Sequence, residues 1–153
     1  MPNFNADNAA SQATVPPTRI KVNKQHGRVR FFESTYTAPA TGMPAIADTI
    51  TWGDLPLGAR VVGHLSQLRF GAGTAGSTLN LGDAASAARH LAATSIAAAG
   101  AAVPEAAAVN GGTFETSDSS TAATNNCKLI STIAGAGLAA NQVVTLRAAY
   151  VSD

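Results

Sequence analysis

Residues 64–83 read HLSQLRFGAGTAGSTLNLGD, and their centre, GAGTAG (71–76), fits two incompatible folds. The spacing G-x-G-x-x-G cradles a pyrophosphate when a strand precedes it and a helix comes after, because the helix N-terminus supplies the N–H groups and the dipole. A strand pattern does precede it. The next residues are STLNLGD, with Leu79 and Leu81 on one face and Asn80 on the other, which is strand alternation. No acid stands about 20 positions on to meet a ribose hydroxyl: Asp83 comes too early and Glu105 too late. The Lys-Ser or Lys-Thr ending of the other phosphate loop is also missing. The glycines are therefore expected to supply positive φ in a hairpin loop. On this reading the chain is a β protein without a bound nucleotide.

Working outward, alternation recurs on both sides. TRIKVNK (18–24) and GRVRFFESTYT (27–37) read as two strands around a turn at Asn23 to Gly27, with Ile20, Val22, Val29 and Phe31 on one face. AIADTITWGDLP (45–56) is a third candidate. DLPLGARVVGHLSQLRF (54–70) turns at Leu55 to Gly58 and continues as one long strand, with Leu65 as its expected core anchor. NNCKLISTI (125–133) and NQVVTLRAAYV (141–151) are two further strands separated by a turn at Gly135 and Gly137, and GTFETS (112–117) is a short one. AASAARHLAATSIAAAGAAVPEAAAV (84–109) differs: its helix propensity is high, and Asp83 is placed to cap an N-terminus. Its large residues are too few for an amphipathic stripe, so a short helix or a close-fitting loop is expected.

Composition bounds the architecture. The 153 residues suit one domain. Apolar residues make up 46%, but 33 of them are alanines, and aromatics are only 5%. Such a chain builds a thin core of two packed layers, one that a partner subunit would complete. Charged residues are 12%, about half of the roughly 25% usual for soluble domains, and the net charge is +1. A surface this weakly charged tolerates packing against other copies. The predicted fold is an all-β antiparallel sandwich, jelly-roll-like, with a flexible arm over 1–17 and an alanine-rich insertion within a single domain, 18–153.

Catalysis finds no foothold in the pattern. His26, His64 and His90 have no second ligand at metal spacing, and His64 reads as a structural histidine in a strand. No G-x-S-x-G occurs. Cys127, the single cysteine, permits neither an intrachain disulfide nor a C-x-x-C zinc site, and reads as a small buried hydrophobe. Asp48, Asp54, Asp83 and Glu105 form no carboxylate pair. No enzyme activity, cofactor, metal or small-molecule substrate is expected. MPNFNADNAASQ lacks the marks of a signal peptide and no apolar run spans a membrane, so a soluble product made in a cytoplasm is expected.

One segment is chemically distinctive. Arg19, Lys21, Lys24, Arg28 and Arg30 are five of the ten basic residues, with no acid between Asp7 and Glu33. They make either a cationic patch toward a partner or the solvated face of a hairpin. Specific nucleic-acid binding is not expected, because Phe31, Phe32 and Tyr36 form no stacking platform.

LPLGARVVG (55–63), LNLGDA (79–84) after the glycine-rich turn, and the closing VVTLRAAYVSD (143–153) resemble the head decoration, or cement, proteins of tailed bacteriophages. The order of arm, strands, alanine-rich insertion and final strand is similar over about 18–153. The resemblance implies a virion structural protein on the capsid exterior, made in the host cytoplasm. It would bind and bridge major capsid subunits as a homo-oligomer, a dimer or trimer. The expected contacts are the arm, with Phe4 and Val15, and the basic residues Arg19, Lys21, Lys24, Arg28 and Arg30. A tail, neck or fibre sandwich that binds a receptor or glycan is the alternative. That alternative calls for exposed aromatics, of which Trp52, Tyr36 and Tyr150 are the whole supply, with Trp52 expected to be at least partly buried.

Overall fold

Strands that alternate large apolar with polar residues bury one face each, and two such faces must meet. The computed structural model describes residues 27–104 and 127–152. The arm, the strand expected at 18–24 and the one at 112–117 lie outside them, as do Phe4, Val15, Arg19, Lys21, Lys24 and His26. Nine strands occur in the described residues: β1 (Arg28–Thr37), β2 (Thr49–Asp54), β3 (Arg60–Val61), β4 (Gln67–Phe70), β5 (Thr78–Leu81), β6 (Leu91–Ser95), β7 (Gly100–Ala102), β8 (Lys128–Ala134) and β9 (Val143–Ser152). They form two antiparallel sheets in the orders β1-β9-β4-β7, with β3 also on β9, and β2-β8-β5-β6. The pairs β1 with β9, β2 with β8, β4 with β7 and β5 with β6 are nested. That is the path of a jelly roll, one long hairpin rolled up so that its layers face each other.

The core sits between the sheets. Leu68, Phe70, Val144, Leu146 and Ala148 face Ile50, Trp52, Leu79, Leu81, Leu129 and Ile133, all buried, while Phe32 and Tyr36 of β1 close one side. Trp52 is 5% exposed, and its indole N–H donates to Ser131 Oγ at 2.8 Å. That bond satisfies two polar groups inside an apolar layer. β2 bulges beside it, and Gly53, at φ +147°, lies under the Phe32 ring, where a Cβ would come within 2.7 Å of Cζ. Cys127 is buried and its carbonyl accepts from the Leu55 N–H.

Three expectations change here. The long strand over 60–70 is broken: a 3-10 turn, Gly63–Leu65, separates β3 from β4. Arg60 lies opposite Val151 and Gln67 opposite Arg147, so the two strands are offset by three residues on β9 and the turn takes up the excess. Alternation therefore flips: Val61 points inward before the turn, Leu68 and Phe70 after it. Leu65 is 45% exposed and anchors nothing, and His64 sits on the exposed turn rather than in a strand. Ser66 holds the break, its hydroxyl donating to the Val62 carbonyl and accepting from the Ala149 N–H.

The alanine-rich stretch contains no helix in its described part. Residues 91–95 and 100–102 are strands on the edges of the two sheets. Leu91 and Ile96, both buried, are the residues that bind this segment to the core, and that packing outweighs alanine's intrinsic preference of a few tenths of a kcal/mol per residue. Asp83 caps a turn instead of a helix, accepting from the N–H groups of Ala85 and Ser86 at 2.9 and 2.8 Å.

Thirdly, GAGTAG is a turn but not a hairpin loop. β4 and β5 belong to different sheets, so the stretch is an arch that carries the chain across the core. Of its glycines only Gly76 adopts positive φ, +83°. Gly73 is there for space: a Cβ would lie 2.4 Å from Gln142 Nε2 and 2.6 Å from the Ile96 carbonyl. The arch bonds to the loop 96–99 and to Gln142 and Val143, and the loop 135–142 bonds in turn to the loop 38–48.

Candidate functional site

The GAGTAG amides are already committed. Gly71 N–H donates to the Val143 carbonyl at 2.8 Å and Gly73 N–H to that of Ala97 at 3.0 Å. Gln142, 3% exposed, fills the hollow beside Gly73, donating to the carbonyls of Gly71 and Ile96 and accepting from the Ala139 N–H. With a strand after the arch rather than a helix, nothing there is arranged to receive a pyrophosphate.

At the opposite end, the β5–β6 turn (82–90) gathers the ionisable groups. Asp83 is buried, and its carboxylate pairs with the Arg89 guanidinium as well as the two turn amides. His90 beside them is 3% exposed, and its Nδ1 has no hydrogen-bond partner among the described residues. Burial pulls its pKa from 6.5 down to about 4; the Asp83 charge opposes this and Arg89 adds to it. Among the described residues no group of three His, Cys, Asp or Glu could hold a metal ion. The turn is a structural clasp.

The remaining concentration of function-type side chains is the outer face of the five-stranded sheet. Pairing fixes which residues stand together. Val29, Val151 and Arg60 form one row, Phe31 and Ala149 the next. Glu33, Arg147 and Gln67 form a third, and Thr35, Thr145, Arg69 and Ala101 a fourth. Phe31 is 51% and Val29 47% exposed, so the face expected to look inward on β1 looks outward, and Phe32 and Tyr36 take the inner positions. The reason is register: Phe32 and Tyr36 lie opposite the buried Ala148 and Val144 of β9. Arg147 lies over the Phe31 ring, Cζ 4.4 Å from the centroid, a cation–π contact that holds the guanidinium in place. Thr35 and Thr145 bond across the strands at 3.0 Å.

Two adjoining depressions, about 710 and 230 Å³, open on this face and share Gln67, Arg69 and Thr145. Of the candidates read from the basic segment, Arg28 and Arg30 are described. Both are exposed, on the same face of β1 as Phe32 but beyond the part that packs on the core, opposite Ser152 and Tyr150. They are not on the face that carries Arg69 and Arg147. Those two arginines were not singled out by sequence: their outward direction follows from alternation with Leu68, Phe70 and Leu146, but only the sheet order brings them together.

No protein-family model matches the sequence, and no curated protein matches it. Solved structures with the same fold exist. A chain of the cyanophage Pam1 capsid asymmetric unit superposes with a TM-score of 0.68 at 22% identity, over 100% of both chains. A chain of the capsid of Ralstonia phage GP4 gives 0.56 at 20% identity, over 83% of this chain and 86% of that one. At these identities the likeness is one of fold.

Proposed function

We propose that this protein is a structural component of a bacteriophage virion, a decoration protein that binds the exterior of the head and bridges neighbouring major capsid subunits. The observation that carries the reading is the likeness, over the full length of both chains, to a chain of a capsid asymmetric unit. The jelly-roll path and the low charge of the chain agree with it. The role is mechanical: the sandwich supplies a stiff body, and binding comes from surface and arm. In this mechanism the arm, with Phe4 and Val15, docks on a neighbouring subunit, as an added strand where a sheet edge is open. Arg19, Lys21, Lys24, Arg28 and Arg30 face acidic surface. Assembly as a symmetric dimer or trimer multiplies contacts that are individually weak.

A glycan-binding fibre is the less supported reading, since Trp52 is buried and Tyr36 packs against the core. Co-sedimentation with purified mature capsids separates the two. Hundreds of copies per capsid, in fixed ratio to the capsid subunit, are expected. A few copies per virion and none on capsid walls would move the protein to the neck or tail. Deleting residues 2–17 should leave the sandwich folded and weaken capsid binding; undiminished binding would remove the arm from the mechanism.

A further inference from the structure

We infer that the outer face of the five-stranded sheet is a docking groove for an extended acidic segment of another polypeptide, one with carboxylates at positions i and i+2. The inference rests on this face alone and stands whether or not the chain is part of a capsid. Arg69 and Arg147 stand one strand and one row apart, Arg69 opposite Thr145 and Arg147 opposite Gln67. Diagonal neighbours in a sheet lie about 7 Å apart, and alternate side chains of an extended peptide repeat at about 7 Å. The two arginines therefore leave the sheet at the spacing of alternate side chains of an extended peptide, which sets one carboxylate toward each. Neither arginine has a carboxylate within ion-pair distance among the described residues, although Glu33 lies directly opposite Arg147 on β1.

The shape fits a chain. The larger depression has a floor of Gly71, Gly100 and Ala101, and it opens at β7, an edge strand of the sheet. Small residues under the groove let a peptide backbone lie close, while Gln67 and Thr145 stand between the two arginines as hydrogen-bonding groups. The rest of the face is of interface type, with exposed Phe31, Val29 and Val143 beside arginine.

Rival ligands fit less well. A nucleic acid would need a free aromatic face for base stacking, but Arg147 covers the Phe31 ring and Glu33 would repel phosphate. A glycan would need an exposed Trp or Tyr, whereas Trp52 is buried and Tyr36 and Tyr150 lie on the inner face.

The test is a titration of the full chain, monitored by amide NMR, with an acetylated heptapeptide alternating alanine and glutamate. Shifts confined to β4, β7 and β9 are expected. Arg69→Gln with Arg147→Gln should weaken binding at least about tenfold, raised salt should weaken it too, and Glu33→Gln should strengthen it. All three side chains are exposed or lie on the outer face, so the fold survives these changes. Equal binding of the matching glutamine peptide, or unchanged binding by the double variant, would overturn the inference. So would tighter, competing binding of an oligothymidylate of the same charge. Shifts at these strands on raising protein concentration without peptide would assign the face to self-association instead.

Discussion

The two ends of the sandwich are closed by different chemistry. At one, the GAGTAG arch is held by a neutral side chain, Gln142, and by backbone bonds. At the other, the 82–90 turn is held by the Asp83–Arg89 pair, with a buried His90 whose Nδ1 has no hydrogen-bond partner among the described residues. An amide satisfies carbonyl and N–H groups at any pH, whereas the buried His90 beside the clasp has its pKa pulled down by burial. One fold thus carries a pH-indifferent end and a pH-sensitive end.

The largest break in this comparison should come from Asp83→Ala. It strips two turn amides of their acceptor and removes the Asp83 carboxylate from Arg89, at a cost of about 3 kcal/mol; chemical denaturation would measure it. Asp83→Asn, which keeps an acceptor oxygen, should lose less. A loss below about 1 kcal/mol for the alanine variant would mean that the turn is not clasped by this side chain.

His90 comes next. Its folded pKa lies near 4 against 6.5 when free, so the unfolded chain takes up the proton first. Stability should be full above pH 6.5, fall as pH drops toward 4, and level off below, by about 3 kcal/mol from this group. Melting curves of wild type and His90→Leu between pH 7 and 4 should differ in slope over that window. Parallel curves would locate the acid sensitivity elsewhere.

At the arch the effects should be smaller and should divide by cause. Gly73→Ala forces a methyl into Gln142 and the Ile96 carbonyl and should cost about 2–3 kcal/mol. Gly76→Ala meets open space and pays only for positive φ, about 1 kcal/mol. Neither should change the pH profile. If the order of the two were reversed, packing would not be what fixes the arch.

Much of this fold was readable locally. β2, β5 and β8 alternate because each has an inner and an outer face, and that pattern needs no knowledge of the partner strand. On β1 the strand was legible, but its inner face, Phe32 and Tyr36, was set by register with β9. The misreadings share one cause. Leu65 and the unbroken strand over 60–70 were expected because nothing local marks a three-residue offset that exists only against β9. The alanine-rich strands β6 and β7 arise from vacant edges of β5 and β4, which propensity does not register. For the outer face, each arginine's direction was legible and its company was not.

The amino-acid sequence by itself determined an all-β sandwich, excluded the nucleotide loop at GAGTAG for want of a helix after it, and marked the buried Trp52 and Cys127. These conclusions rest on period-two patterning and on backbone rules that act over a few residues. Tertiary structure decided the jelly-roll order, the arch in place of a hairpin, and the meeting of Arg69 with Arg147. Those depend on pairings between residues as far apart as Arg28 and Ser152, and such pairings are selected by the packing of both sheets together.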